Sequence, residues 1–570
     1  DAEQKIADAK QELADLKKPE LYVLTRDTNA GYVSFESDST IVEKLSGLFP
    51  IFFFLIAALV CSTTMTRMID DERTQIGTLR ALGYSRGSIL AKYLLYSGSA
   101  AALGCVIGYF AGGYVFPFVI WTAYGMLYRI PGFVLLYDPV LFVIALAASL
   151  LCSAGTTYLA LRIEMQNMPA NLIRPKTPAA GKRIFLERIT PLWKRLKFLH
   201  KVSLRNIFRF KKRMIMMILG IAGCTALVLT GFGIHDSVAN IANFQFDDIQ
   251  KYDVSAQFSD TLTEDKINEV ESDHKSELDA ATAVQMTSGD VTGDSITKSA
   301  YIVASDDPAI TDIFDLHIDG ETVPYPGKGE VLLTEKLAEL TDIKTGDTVT
   351  VSVSDTEKAE LKVAGLVENY VQNYLYMTGE TYAMVADKGY EPKTLLLRVN
   401  DSADEYALSA ALSKTDGVSS VSVVTDTRNM IDQMMQSLNY VVALVLISAG
   451  ALAFIVLFNL GNINLTERVR EIATIKVLGF HSRETGAYVF RENIILSMMG
   501  IVVGLPLGVL LHTFVLMQIR VDMVSFKAVI APVSFLLTVV MVVLFTVITD
   551  LVMRKKIAKI DMAESLKSIE

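Results

Sequence analysis

The chain is poor in cysteine and lacks the short motifs of nucleotide-binding and zinc-hydrolase sites. Its four cysteines, Cys61, Cys105, Cys152 and Cys224, all lie in apolar runs, which favours small buried side chains over a disulfide framework. No G-x-x-x-x-G-K-S/T loop occurs, so ATP binding of the usual kind is not expected. H-E-x-x-H and paired-cysteine motifs are absent as well. We therefore predict no catalytic residue, metal site or cofactor.

Charged residues are missing from seven long apolar runs, in a sequence of 570 residues that is 51% hydrophobic. Each run is long enough to cross roughly 30 Å of hydrocarbon as an α-helix, the conformation that satisfies backbone polar groups in lipid. The sequence therefore predicts an α-helical polytopic membrane protein with seven transmembrane helices, at residues 45–66, 93–117, 139–161, 214–234, 438–461, 493–517 and 528–549.

The distribution of charge predicts how these helices are oriented. Residues 162–213 contain fifteen Lys or Arg against two acids, whereas residues 235–437 contain 38 Asp or Glu against 14 bases. Lys and Arg concentrate on the cytoplasmic side of membranes. We therefore expect residues 1–44 and 235–437 to lie outside the cell membrane and the C-terminus to be cytoplasmic. Seven crossings place Asp1 outside, and the simplest explanation is a fragment whose first transmembrane helix precedes this sequence.

A stripe of glycines occurs twice, 396 residues apart, and indicates an internal duplication. The same offset aligns Leu82-Gly83-Tyr84 with Leu478-Gly479-Phe480. Glycines at four-residue spacing let a neighbouring helix approach closely. We predict that both stripes are helix-packing surfaces, either between the two halves or within each half. The lining of a pore is the less favoured alternative, because nothing polar accompanies the glycines. The two stripes consist of Gly104, Gly108 and Gly112, and of Gly500, Gly504 and Gly508.

Two connections on the predicted cytoplasmic side are the main functional candidates. Each has apolar residues on one helical face, followed by a glycine suited to a left-handed C-cap. A short capped helix of this kind can transmit force from a cytoplasmic partner, although a solvated hairpin without a partner has the same pattern. The residues assigned to these two helices are Glu72, Arg73, Gln75, Ile76, Leu79, Arg80, Leu82 and Gly83, and Arg468, Glu471, Ile472, Ile475, Lys476, Leu478 and Gly479.

The linker 165–213 contains four prolines and then a basic amphipathic stretch. Trp193 and Phe208 alternate there with cations such as Arg205 and Arg209, which predicts a helix at the membrane interface in contact with the lipid bilayer. A nucleic-acid patch is the other interpretation, but the stretch leads directly into the crossing at Met214, so we expect no nucleic-acid partner.

Residues outside the membrane fall into two parts. Residues 1–18 have the spacing of an amphipathic helix, which suggests one arm of a coiled coil, and residues 22–39 are predicted to be an extended connector. Residues 235–437 are predicted to form a mixed α/β domain. Its expected strands are 299–304, 348–353, 360–367, 394–399 and 418–424, and its expected helix is 333–340.

These observations divide the chain into seven segments. The first three are an arm and connector (1–44), a first three-helix unit (45–164) and a cytoplasmic linker with its interfacial helix (165–213). The others are a single crossing (214–234), an extracytoplasmic domain (235–437), a second three-helix unit (438–553) and a cytoplasmic tail (554–570).

The duplicated segments resemble the permease signature of the FtsX/MacB class of ABC transporters. The resemblance depends on Gln75-Ile76-Gly77-Thr78-Leu79-Arg80-Ala81-Leu82-Gly83, on its counterpart ending at Gly479, and on Pro169-Ala170-Asn171-Leu172-Ile173-Arg174. Residues 329–333 and 345–349 are similar to parts of the family's extracytoplasmic core domain. The long two-unit forms with an extracellular coiled coil, common in Gram-positive bacteria, are the most similar.

The resemblance implies a permease whose partner is a separate cytoplasmic ABC ATPase dimer, with one ATPase under each half. It implies two FtsX-like units, docking through the two short helices, and motion of outer domains instead of passage through a pore. Gln75 stands where the family usually has Glu, and Ala473 where it usually has Gly, so the two docking sites are expected to differ in strength. The cargo, whether peptide, lipid or protein, does not follow. An ATP-independent scaffold or sensor that binds a peptide or antimicrobial is the alternative.

Overall fold

The computed structural model describes most of the chain. The described residues are 26, 30–125, 128–129, 132–174, 198–209, 211–293, 296–354, 357–387, 389–400, 402–467, 469–479, 482–518 and 524–558. The predicted arm at residues 1–18 and Trp193 lie outside these ranges.

Seven helices in the described part are long and apolar enough to cross a membrane, which confirms the predicted number. They cover Ser39–Asp71, Arg86–Tyr124, Pro139–Glu164, Met214–Ile249, Val424–Thr466, Phe490–Gln518 and Pro532–Ile557. Several continue beyond the apolar run that identified them, because the flanking polar residues remain helical outside the hydrocarbon.

The first unit contains three of these crossings and two short helices. They are α1 (Ala30–Asp71), α2 (Arg73–Ala81), α3 (Arg86–Tyr124), α4 (Pro139–Glu164, with a π-helical turn at Leu151–Gly155) and α5 (Pro169–Ile173). Side-chain caps fix two of the starts. The Ser85 hydroxyl accepts from the Ser88 amide at 3.1 Å, and the Asp138 carboxylate accepts from the Val140 amide at 2.7 Å.

The predicted extended connector at 22–39 is wrong for its second part, because α1 already begins at Ala30. The Asn-Ala-Gly turn signal at 29–31 marks the start of the helix and not the middle of a loop. Beyond the membrane run, the ring of Phe35 meets the ring of Tyr128 edge to face, with centroids 5.3 Å apart.

After the linker come α6 (Phe198–Arg209) and α7 (Lys211–Ala239). Helix α7 continues through a short turn at Ile241–Asn243 and a π-helical turn at Phe244–Ile249 into the outer domain. The most apolar stretch of this crossing is mostly buried inside the protein. It is therefore the central helix of the membrane part.

The outer domain is built on a nine-stranded sheet and a separate two-stranded one. The large sheet has the order β11-β1-β10-β2-β3-β9-β6-β8-β7, and β2 also pairs with β7, so six strands close on themselves. The strands are β1 (Val254–Phe258), β2 (Leu278–Thr292), β3 (Thr297–Ala304), β4 (His317–Ile318), β5 (Glu321–Thr322), β6 (Glu330–Thr334), β7 (Thr348–Ser352), β8 (Lys358–Val367), β9 (Tyr374–Met377), β10 (Thr394–Val399) and β11 (Val418–Val423).

The closed part of the sheet surrounds one apolar core, which includes Val291, Ile302, Leu333, Val363 and Leu375. The helices of the outer domain are α8 (Glu264–Asp273), α9 (Ile310–Ile313), α10 (Glu335–Thr341), α11 (Gly379–Val385) and α12 (Glu405–Leu412). The mixed α/β prediction is confirmed, and all five expected strands are present. The helix predicted at 333–340 is displaced, because Leu333 and Thr334 belong to the buried end of β6.

The second unit follows the outer domain without a break. It consists of α13 (Val424–Glu467), α14 (Val469–Val477), α15 (Ser482–Gln518) and α16 (Pro532–Ala558). Helix α13 leaves the outer domain and ends on the opposite side of the membrane part, which we call the inner side. The halves contact each other through α1 and α13, where the Asn459 amide donates to the Thr64 hydroxyl at 2.9 Å.

Candidate functional site

The two short helices predicted to be functional, α2 and α14, lie on the inner side in equivalent positions. In each, one isoleucine is fully buried against its own unit. Ile76 lies in a cluster with Ile69, Tyr93, Leu161 and Leu172. Ile472 lies in a cluster with Leu465, Phe490, Met553 and Ile557. These isoleucines hold the short helices to the membrane helices and are not available to a partner.

The rest of each predicted apolar face becomes progressively exposed toward the helix end. Leu79 and Ile475 are half-buried, whereas Leu82 is 72% and Leu478 is 71% exposed. Periodicity predicts one apolar face for each helix. In the structure, the isoleucine of that face is buried against the membrane helices and the leucine at the helix end is exposed; we call this exposed end the tip.

A left-handed glycine ends each of the two helices, at the positions proposed for the C-caps. Gly83 has φ 89° and Gly479 has φ 92°, a conformation that residues with a Cβ rarely adopt. In the first unit the Tyr84 amide donates to the Leu79 carbonyl at 3.1 Å. The glycine turn places the exposed tip, Leu82 and Tyr84, at the innermost end of the hairpin.

A basic side chain from each short helix binds backbone carbonyls where the third crossing of that unit ends. Arg80 donates to the carbonyls of Met165 and Asn167 at 3.0 and 2.5 Å. Lys476, which is 396 residues later, donates to the carbonyl of Ile557 at 2.7 Å. Carbonyls at a helix C-terminus lack intrahelical donors and carry partial negative charge, so a cation stabilises them.

Ion pairs add to this attachment in the first unit. Arg73 pairs with Glu164 at 2.6 Å, both only 15% exposed. Glu72 accepts from the Tyr93 hydroxyl at 2.6 Å and from Lys92 at 3.1 Å, and these bonds lower the pKa of Glu72 below its ordinary value. Gln75 also accepts from Lys92, at 3.2 Å. In the second unit, Arg468 and the side chain of Glu471 lie outside the described residues, so their assigned roles remain predictions.

Sequence reasoning missed that the P-A-N-L-I-R motif folds back onto α2. A Cβ placed on Gly77 would lie 2.9 Å from Leu172 Cβ and 2.9 Å from Ile173 Cγ1. Gly77 therefore allows α5 to lie directly on α2. The signal in the sequence was a glycine inside an otherwise regular short helix, where its conformational freedom is not needed.

The two glycine stripes have different surroundings. Cβ atoms placed on Gly500, Gly504 and Gly508 would lie 2.6 Å from Ile221, 2.6 Å from Thr225 and 2.9 Å from Leu229 of α7. On Gly104 and Gly108, a Cβ would contact nothing within 4 Å among the described residues, and on Gly112 only Phe116 of the same helix. The second stripe therefore lies close against α7, whereas no side chain or backbone of another described helix lies within 4 Å of the Cβ positions of the first stripe.

Helix α7 contributes glycines of its own that the sequence analysis did not select. A Cβ on Gly220 would lie 3.2 Å from Leu460 of α13, and one on Gly223 would lie 3.3 Å from Ile56 of α1. The central helix thus contacts both halves closely through small residues.

The predicted interfacial residues are described only in part. Arg205 and Arg209 on α6 are exposed, and Phe208 is half-buried against the core of the membrane part. This arrangement is amphipathic, as expected, and the bilayer contact itself stays a prediction.

A polar contact that the sequence analysis did not predict joins the outer domain to the loop before α16. The Glu368 carboxylate accepts from Lys527 at 2.7 Å, from the Asp319 amide at 2.8 Å and from the Tyr370 hydroxyl. Gln245, in the π-helical turn that follows α7, accepts from the amides of Tyr370 and Val371. We call Gln245, Glu368, Tyr370 and Lys527 the outer junction.

Charge controls the protonation of the outer junction. Burial alone would raise the pKa of Glu368, but the bonds from Lys527, Tyr370 and Asp319 outweigh it and lower the pKa below the ordinary value. The carboxylate is therefore ionised at neutral pH. The described residues contain no group of three or more His, Cys, Asp or Glu side chains that could hold a metal ion.

Comparison with protein families identifies both parts of the chain. The family described as FtsX-like permease C-terminal matches residues 47–165 and again residues 443–562. The family described as MacB-like periplasmic core domain matches residues 214–415. Together these matches cover well over half of the chain, and the two permease matches coincide with the duplicated units.

Among solved structures, this chain is similar to the extracellular domain of the noncanonic ABC-type transporter YknZ from Gram-positive bacteria. The identity is 14% and the TM-score 0.23, over 30% of this chain and 98% of that one. It is also similar to the periplasmic region of MacB from Actinobacillus actinomycetemcomitans, with 14% identity and a TM-score of 0.23, over 32% and 94%. A search of curated protein sequences finds no match.

Proposed function

The chain belongs to the FtsX/MacB-like family of ABC transporter permeases, and from this premise we propose that it couples ATP hydrolysis to movement of its extracellular domain. Members of this family are permease subunits that work with a cytoplasmic ABC ATPase. In our proposal an ATPase dimer binds on the inner side, one subunit under each half. The inner side, including the C-terminus, is then cytoplasmic, and the host membrane is that of a Gram-positive bacterium.

One observation carries the docking assignment. Two helices of the same duplicated origin each bury an isoleucine, bind a carbonyl through a basic residue and expose a leucine next to a left-handed glycine. An exposed leucine on a charged hairpin offers a partner an apolar side chain whose burial would stabilise the complex. Because both copies expose it at the same position, a partner with two equivalent subunits suits the arrangement.

The contacts on the membrane side supply a route from these helices to the outer domain. Helix α14 is attached to α15 and α16 through the Ile472 cluster. Helix α15 lies against the central helix α7 along its glycine stripe, and the loop before α16 is bound to the outer junction. A displacement of α14 would therefore reach the base of the outer domain through packed helices instead of through a pore.

Substitutions at the two exposed tips test this proposal. Leu82→Asp and Leu478→Asp each place a charge at a contact that should be apolar, so we expect at least a tenfold weaker ATPase interaction from each, and loss of copurification when both are present. The measurement is the amount of an ABC ATPase, identified by mass spectrometry, that copurifies with the chain from its native host.

A matched control is Met384→Asp, which places the same charge at an exposed apolar position of the outer domain. It should leave the copurified ATPase unchanged. Substitution of the half-buried Leu79 or Ile475 would be less informative, because their packing would change too. Full retention of the ATPase by the double variant would contradict the docking assignment, whereas a wild-type chain that copurifies no ABC ATPase would favour the ATP-independent scaffold or sensor.

A further inference from the structure

The segment that follows the third crossing of the first unit covers the side of α2 next to the exposed tip. We call residues 165–173 the strap; it consists of a turn and helix α5. The strap contacts α2 at Gly77, where Leu172 and Ile173 lie directly on the helix backbone. It also contacts Arg80, which binds the carbonyls of Met165 and Asn167.

These contacts join α2, the strap and the end of α4 into one body. Leu172 is 1% exposed and belongs to the same buried cluster as Ile76 and Leu161. The ion pair of Arg73 with Glu164 closes the other end of α2 against α4. The position of the strap is therefore fixed by burial, by charge and by close backbone approach together.

The outward side of the strap is apolar. Met168 is 72% exposed and Ile173 is 43% exposed. Met168 follows Asn167, whose carbonyl binds Arg80, and Ile173 itself contacts Gly77. Arg80 lies two residues before Leu82, and Tyr84, on the other side of Gly83, is 57% exposed. The strap thus brings exposed apolar residues to the helix, α2, that carries the exposed tip.

We propose that the strap is a second half of the ATPase docking surface of the first unit, so that the ATPase contacts Met168 and Ile173 as well as Leu82 and Tyr84. This inference rests on the proposed function. The membrane is the other possible occupant of an apolar patch. It is disfavoured because the side of α2 that faces the membrane helices is the buried side with Ile76, and the strap lies next to the tip.

Gly77 makes the first docking surface different from the second. The equivalent position 396 residues later is Ala473, which is fully buried. A Cβ at Gly77 would be 3.2 Å from the backbone nitrogen of Ile173 as well as 2.9 Å from two side chains, so the strap would have to move. The position of the strap therefore depends on glycine at position 77. A substitution there would displace the strap and so weaken the first docking site without changing Leu82 or Tyr84.

The experiment titrates the purified ABC ATPase that copurifies with the wild-type chain onto the full chain in lipid nanodiscs. Met168→Asp and Gly77→Ala are compared with Leu82→Asp, all in the Leu478→Asp background so that only the first site contributes. We expect Met168→Asp and Gly77→Ala each to weaken binding about tenfold. Met168→Leu should bind like the parent, because it keeps an apolar side chain of similar volume.

Gly87→Ala is the matched glycine control. A Cβ there would meet only the Ser85 hydroxyl oxygen, at 3.9 Å, so binding should not change. If Leu82→Asp weakens binding while Met168→Asp and Gly77→Ala bind like the parent, the strap inference is overturned and the proposed function stands. If all three bind like the parent, the proposed function fails with it. If Gly77→Ala does not fold, the exposed Met168 variants still decide the question.

Discussion

At the scale of single residues, the side chains that matter most on the inner side are those that attach the short helices to their own units. Arg80 and Lys476 are different residues, but both donate to carbonyls at the end of a third crossing. Such carbonyls have no intrahelical donor, so a long basic side chain from a neighbouring helix satisfies them. The duplication kept the charge and the contact while the residue type changed.

We predict that Arg80→Ala destabilises the first unit and that Arg80→Lys largely does not. Charge-assisted hydrogen bonds contribute about 1.5–3 kcal/mol each, and alanine removes two of them, whereas lysine retains at least one, as Lys476 does. The measurement is the midpoint of thermal unfolding of the purified chain in detergent. Equal midpoints for Arg80→Ala and wild type would show that these contacts contribute nothing to stability.

At the scale of elements, the two glycine stripes show that one sequence pattern can have two different surroundings. The stripe on α15 is in contact with α7, and the stripe on α3 has an open face among the described residues. Glycine spacing determines only that a helix can approach closely. Whether a helix is there depends on the rest of the fold: α7 precedes the second unit with the outer domain between them, and it packs against α15.

This difference predicts opposite effects of the same substitution. Gly504→Ala should destabilise the membrane part by about 1–3 kcal/mol, because its Cβ would lie 2.6 Å from Thr225 and 2.8 Å from the Ala222 carbonyl. Gly108→Ala meets nothing within 4 Å among the described residues and removes a flexible residue from a helix, so it should be neutral or stabilising by up to about 1 kcal/mol.

The test compares the thermal unfolding of the two variants with that of wild type in the same detergent or nanodisc. An equal loss of stability in both would mean that the first stripe is as closely packed as the second. Tolerance of alanine at Gly504 would mean that α7 and α15 are further apart than the structure places them.

At the scale of the whole molecule, the outer domain is attached to the membrane part at the outer junction as well as through the chain itself. Gln245 binds the segment after β8, and Lys527 reaches Glu368 from the loop between α15 and α16. The isolated bridge between Val371 and Val524 adds a backbone contact. Movement of α15 and α16 is therefore expected to move the outer domain with it.

The protonation state of Glu368 should make this attachment depend on pH. Its pKa in the folded chain is lowered, so its contribution to stability is fully present above the unfolded carboxyl pKa of about 4.3 and is lost as the pH falls through the lowered folded value. Glu368→Gln should remove this part of the acid dependence and weaken the junction at neutral pH.

Hydrogen exchange at the amides of Asp319, Tyr370 and Val371, measured between pH 7 and pH 3 and corrected for intrinsic rates, follows the opening of the junction. Glu380→Gln, at a carboxylate that is 62% exposed and pairs with the exposed Lys328, is the control and should behave like wild type. Opening of the junction that is the same in wild type and Glu368→Gln at every pH would contradict the assigned role.

The sequence by itself determined the number of crossings, the duplication, the mixed α/β character of the outer domain and the positions of the two short helices. These follow from local properties: charge-free runs of membrane length, a fixed offset between repeated residues, and glycines that end helices. The split between Ile76 and Leu82 was not predictable in this way, because periodicity places both on one face and only the neighbouring helices bury one of them.

Only the tertiary structure decided three contacts: which glycine stripe packs against another helix, the position of the strap on Gly77, and the pairing of Glu368 with Lys527. Each of these depends on residues far apart in the chain whose approach no local pattern specifies; Glu368 and Lys527 are 159 positions apart. Close packing and buried charge pairs form when whole elements come together, so the same residues carry no signal of these contacts until the chain is folded.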